Sequence, residues 1–128
     1  MKFGYTILYV ADVEATVTFY ESAFGLKRQF IHESGYGEMI TGDTKLAFAS
    51  VELARSNGVL FHLALPDAPA PSFEIAFTTE DVAAAFQRAV DAGATPVAEP
   101  KQKPWGQLVC YVRDINGFLV ELCSPMAP

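Results

Sequence analysis

The sequence predicts an α+β protein built from two βαβββ repeats, each a mixed sheet with its helix on the outside. Three observations lead there. When the chain is slid so that Tyr5 falls on Glu74, "YTILYVADVEAT" lies over "EIAFTTEDVAAA"; Asp12-Val13 then matches Asp81-Val82, Ala15 matches Ala84 and Ala23 matches Ala92. In both copies an alternating stretch reaches an Asp and then apolar residues at helical spacing: Val13, Val17, Tyr20 and Phe24, then Val82, Phe86, Ala89 and Val90. Between the copies lies "PDAPAPS", too rich in proline for a central strand or a helix interior.

Each element follows in order. The opening strand of each copy ends at Asp12 or Asp81, where a carboxylate accepts from the orphan N–H groups of the helix that follows. Gly25 and Gly93 supply the left-handed residue that closes each helix. Three strand-like segments complete each half: "LKRQFIHE", "YGEMITG" and "KLAFASVE", then "ATPVAEP", "GQLVCYVRD" and "FLVELCS". "TGDT" and "DINGF" are the turns joining the last two strands of each half, with Gly, Asn and Asp tolerating positive φ. The expected organisation is a single domain over 1–128, with repeat one at 1–65, a linker at 66–72 and repeat two at 73–128. One repeat alone leaves a sheet face bare, so two must pair to enclose something.

Composition excludes several functions. With 51% hydrophobic residues among 128, the chain can bury a core. A net charge of −6, with nine Lys and Arg scattered along the sequence, argues against nucleic acid and against an anionic membrane surface. No apolar run approaches the roughly 20 residues that cross a bilayer. "MKFGYTILYV" enters a strand pattern without a signal-peptide cleavage site, so a soluble, cytoplasmic protein is expected. Cys110 and Cys123 sit within apolar strand patterns and read as reduced core residues.

"DINGFLVELCSP" carries the sharpest question, because Glu121 is one carboxylate among Phe118, Leu119, Val120, Leu122 and Cys123. With the doubled βαβββ pattern, "YVRDINGFLVEL" resembles the vicinal oxygen chelate superfamily of glyoxalase I, extradiol dioxygenases, and fosfomycin and bleomycin resistance proteins. That family ends in a D-P-x-G turn and a strand bearing Glu; here the turn is Asp114-Ile115-Asn116-Gly117, with Ile115 in place of Pro. The resemblance covers nearly the whole chain and implies curved half-sheets forming a cup. In metal-dependent members four side chains, commonly His, Glu, His and Glu, hold the ion. Carried over, those positions are Tyr5, Ala47, Glu74 and Glu121, and only Glu121 keeps the family's residue. Zinc, nickel and iron sites need the missing imidazoles, so no cofactor is expected, while a hard divalent ion on Glu74 and Glu121 stays open.

Strand alternation with Glu121 inward adds Tyr111, Val109, Gln107 and Trp105 to the cup, with Ile40, Glu38 and Tyr36 as repeat mates of the last three. Tyr5, Ile7 and Tyr9 join from the first strand, and Glu74, Ala76 and Thr78 from its mate. The candidate ligand-binding set is Tyr5, Tyr36, Glu38, Glu74, Trp105, Gln107, Tyr111 and Glu121. Trp105 and Tyr36 suit stacking, Tyr111 and Gln107 suit orientation by hydrogen bonds, and Glu74 with Glu121 suits a cation. Structural readings stand beside these. Tyr5 and Tyr111 also fit as core phenols, Trp105 as a rim cap, and Glu38 as solvent-facing after a one-residue slip. Arg113 fits a salt bridge to Asp114 or Glu121. His32 and His62 read as surface residues, and Phe19, Tyr20, Phe24 and Phe86 as core or interface. The resemblance then implies a metal-independent binder of a small aromatic or cationic molecule, of the bleomycin resistance type, sequestering its ligand as a homodimer. The alternatives are an isomerase, lyase or dioxygenase relative with Glu74 and Glu121 as acid and base or as metal ligands, and a regulatory module whose cup its own side chains fill.

Overall fold

The computed structural model describes residues 1–126. The chain falls into two compact units, Met1–Leu63 and Ala64 onward. The first contains β1 (Tyr5–Val10), α1 (Val13–Phe24), β2 (Lys27–His32), β3 (Tyr36–Ile40), β4 (Lys45–Ser50) and α2 (Val51–Ser56); the second contains β5 (Glu74–Thr78), α3 (Val82–Asp91), β6 (Thr95–Gln102), β7 (Leu108–Arg113) and β8 (Leu119–Cys123). The sheets run β1-β4-β3-β2 and β5-β8-β7-β6. In each, the first strand pairs in parallel with the last and the other ladders are antiparallel. The two βαβββ units are present, and neither four-stranded sheet is closed. No helix among the described residues is long and apolar enough to cross a membrane.

The expected caps form. Asp12 accepts from the Ala15 N–H at 2.9 Å, and Asp81 from the Ala84 N–H at 3.0 Å. Gly25 closes α1 at φ 70°; after α3, Ala92 is still helical and Gly93 makes the left-handed step. α1 lies close on β3, where a Cβ at Gly37 would stand 3.0 Å from Val13 and Val17 methyls. Beside it, the Tyr20 and Phe48 rings meet at 4.9 Å. Leu8 and Val10 turn toward this core, while Tyr5 and Ile7 on the opposite face are exposed.

"KLAFASVE" does not stay extended to Glu52. Ser50 accepts from the Leu53 N–H at 3.1 Å and starts the short α2, so β4 ends there. Its register counterpart Ser124 instead accepts from the Leu108 N–H at 2.9 Å, fastening β8 to β7. β6 runs longer than "ATPVAEP", as an edge strand with two register shifts, where Pro96 and Pro100 break no central ladder.

The β2–β3 turn holds Glu33 and Ser34 at φ 48° and 61°, with the Gly35 N–H donating to the His32 carbonyl at 3.0 Å. Side chains rarely adopt this pair of left-handed conformations. Glu33→Asn with Ser34→Gly is expected to raise unfolding free energy by about 1 kcal/mol in urea denaturation; an unchanged or lower midpoint would contradict that strain.

Candidate functional site

Both units place a phenol and a carboxylate in contact on the sheet face turned away from the helix. In the second unit Glu121 pairs across the ladders with Ala76 on β5 and Tyr111 on β7. The Tyr111 O–H donates to the Glu121 carboxylate at 3.0 Å, and Glu74 stands diagonally across from it on the neighbouring strand. Partial burial, then the bond to Glu121 and its charge, raise the Glu74 pKa above the ordinary carboxylate value, although Glu74 is open to solvent. Burial first and Glu121 second push Tyr111 up to about 12, so the phenol keeps its proton and stays a donor. The Cys123 thiol, on the same face, is pushed up to about 11 by burial and then by Glu121. Cys110 reaches about 11, again mainly through burial. Both cysteines are buried and free, and these protonated thiols are poor nucleophiles.

In the first unit Ile7, Ala47 and Glu38 stand in one row across β1, β4 and β3. The Tyr36 O–H donates to Glu38 at 2.9 Å, and Glu38 is only 9% exposed. Burial, with Glu38 second, raises Tyr36 to about 12. These ladders correct the assignment of repeat mates. Glu38 is the counterpart of Tyr111, since each faces the row of Ala47 or Glu121, and Tyr36 is the counterpart of Val109. A single offset failed because the connection between β6 and β7 is longer than that between β2 and β3, which advances the third strand of the second unit. Ala47 as the counterpart of Glu121 holds. The carboxylate missing at Ala47 has a substitute in Glu38, one strand over.

Tyr5, 58% exposed, lies at the start of β1 opposite Lys45, diagonal to Ala47 as Glu74 is to Glu121. Trp105 and Gln107 form a separate station. The indole N–H donates to the Gln107 side-chain oxygen at 2.8 Å, and the Gln107 amide donates to the Ser124 carbonyl at 2.9 Å. Gln107 and Tyr111 are four residues apart on one face, about 13 Å along a strand.

Arg113 makes neither expected salt bridge. Its guanidinium donates to the carbonyls of Gly117, Leu65, Pro66 and Ala68, binding the proline-rich segment to the β7–β8 turn. Asp114, 2% exposed, accepts from the Asn116 and Phe118 N–H groups at 2.9 Å each and shapes that turn.

The donors available do not fit a borderline metal. Around Glu121 stand the Glu74 carboxyl, a phenol and a thiol, with no imidazole; His32 and His62 are exposed and lie in the first unit. Among the described residues no three His, Cys, Asp or Glu side chains are grouped to hold an ion. A further cavity of about 440 Å³, which strand alternation gave no means of finding, opens where α1 begins, lined by Asp12, Glu14, Glu33, Ser34, Ser50 and Glu52 among others. Asp12 is spent on its cap there and Glu14 on Arg28 at 3.2 Å.

Solved structures share this architecture. A glyoxalase-related enzyme from Fulvimarina pelagi superposes with a TM-score of 0.83 at 24% identity, covering 98% of this chain and 88% of that one. A glyoxalase/bleomycin resistance protein/dioxygenase family enzyme from Burkholderia phytofirmans PsJN gives 0.80 at 16% identity, over 97% and 98%. TioX from Micromonospora sp. ML1 gives 0.71 at 21%, again over 97% and 98%. No curated protein matches the chain at a significant level. The model of the Glyoxalase/Bleomycin resistance protein/Dioxygenase superfamily matches residues 2–122. With the doubled mixed sheet and Glu121 on the strand after the "DINGF" turn, this makes the chain a member of that superfamily.

Proposed function

We propose that the protein binds a small organic molecule, cationic or aromatic, on the bare sheet faces, without the metal usual in its family. The observation that carries this reading is the Tyr111 hydroxyl donating to Glu121 with Glu74 diagonal to it on the next strand. The Tyr111 O–H donates to the carboxylate where the family's ion would sit, and partial burial with the like charge of Glu121 favours a proton on Glu74. An incoming amidinium or ammonium replaces that proton as the partner of both carboxylates, with charge-assisted hydrogen bonds of about twice the ordinary strength. Sequestration of a cationic drug, as in bleomycin resistance proteins, needs nothing more.

The raised pKa of Glu74 beside Glu121 also supports a second reading, an enzyme in which Glu74 delivers a proton to a substrate and Glu121 takes one up. Melting of untagged protein distinguishes metal from organic ligand. Benzamidinium is expected to raise the melting temperature of the wild type and not of Glu121→Gln, while Mn²⁺, Ni²⁺ and Zn²⁺ leave both unchanged. Stoichiometric metal in the purified protein, or a metal-dependent rise abolished by Glu121→Gln, overturns the metal-free reading. Turnover of a substrate that depends on Glu74 would establish the enzyme.

A further inference from the structure

We infer that Glu38 anchors a second ligand site, confined to the first unit, that takes the ammonium group of a primary or secondary alkylamine. The inference rests on the small-molecule reading above and adds a site and a ligand class that the Glu121 face does not supply. Glu38 is only 9% exposed, and a carboxylate is rarely buried so far without a cation beside it. No ion pair among the described residues supplies one. Arg28 pairs with Glu14 and Glu21, His32 with Glu33, and the Lys45 ammonium donates to the Gly42 carbonyl at 2.7 Å. The Glu38 carboxylate takes one hydrogen bond, from the Tyr36 hydroxyl, on a single oxygen. No fully buried side-chain oxygen among the described residues lacks a partner, so the second oxygen is the part of Glu38 that an incoming donor can reach.

The neighbours of that carboxylate are apolar and aromatic. On the face turned away from α1, Phe30 stands opposite Glu38 on one side and Ala47 on the other, with Ile7 beyond Ala47. Phe30 and Ile7 are 44% and 43% exposed, and the Phe30 ring meets that of Tyr36 at 6.0 Å. An amine that reaches Glu38 can therefore lay its hydrocarbon body on apolar surface and set its charge near aromatic rings, which attract it. Tyr36 also selects the shape of the cation. With one oxygen already bonded to the phenol, Glu38 does not present the two free oxygens that an amidinium or guanidinium fork engages, whereas an ammonium needs only one.

Methyl-labelled alanine follows the two sites separately in the intact protein, because Ala47 adjoins Glu38 and Ala76 adjoins Glu121. Phenethylammonium serves as the amine probe, phenethyl alcohol as its neutral analogue and benzamidinium as the forked cation. In the wild type the Ala47 methyl resonance is expected to shift with the amine and with neither of the others. Glu38→Gln should weaken that response about tenfold or more, while the Ala76 response to benzamidinium stays. Tyr36→Phe frees the second oxygen and should let benzamidinium move Ala47 as well. An Ala47 resonance that ignores the amine while Ala76 answers benzamidinium overturns the Glu38 site and spares the binding function of Glu121; silence at both positions removes both. An equal response to phenethyl alcohol, or an undiminished one in Glu38→Gln, marks apolar contact without the carboxylate and overturns the inference. Benzamidinium that moves Ala47 of the wild type as readily as the amine does, or that still fails to move it in Tyr36→Phe, overturns the selection of an ammonium.

Discussion

Replacing Gly117 by alanine is expected to cost about 3 kcal/mol of unfolding free energy. Gly117 sits at φ 98°, where an L side chain is strained by about 1–2 kcal/mol. Its new Cβ would stand 2.6 Å from the Leu65 carbonyl oxygen, 2.7 Å from the carbonyl carbon and 2.9 Å from the Arg113 guanidinium. The two carbonyl atoms are main chain and cannot swing aside, so the segment must lift off the turn and lose hydrogen bonds to Arg113 worth about 1 kcal/mol each. Gly42, also at positive φ but with open space around it, serves as the control and should lose about 1 kcal/mol on the same change. Denaturant titration of the two variants decides the matter; equal losses would mean that the close approach to Leu65 contributes nothing.

The second large effect is on pH dependence. The Glu74 pKa is raised in the folded state, so the folded protein binds more protons than the unfolded chain above the ordinary carboxylate value of 4.5. The stabilisation it brings is complete below that value and is lost as pH rises through the raised one. Glu74→Gln keeps an N–H donor for Glu121 and carries no ionisable proton. The melting temperature of this variant relative to wild type is therefore expected to climb as pH rises above the ordinary carboxylate value of 4.5. The proposed binding of a cation shows the same linkage from the other side, with benzamidinium releasing a proton as it displaces the one on Glu74. A pH-independent difference between variant and wild type would show that the two carboxyls are not coupled.

Local chemistry was legible in the sequence wherever one residue determines one conformation. Asp12, Asp81, Gly25 and the "DINGF" turn do what their residue types require, and they suffice to fix the order of elements. Glu121 and Tyr111 meet as strand alternation requires. What escaped depends on contacts distant in sequence or on a competition between local preferences. Ser50 stands at a point where its hydroxyl can cap a helix although Val51 favours extension, and capping prevails. Arg113 reaches main-chain carbonyls some fifty positions away in the chain, and carbonyls are the same at every residue. The substitution of Glu38 for the carboxylate absent at Ala47 is visible only once the ladders are known, because it moves the charge between strands and not along one.

The Arg113 clamp also bears on how the two halves have parted from each other. Its register counterpart in the first unit is Ile40, which has no guanidinium with which to hold a neighbouring segment. The joining peptide is thus the property of one half alone, docked on the turn that launches the strand of Glu121. A backbone cut between Leu65 and Ala68 should therefore destabilise the later half, whereas one at Gly42-Asp43, in open space, should leave it unaffected.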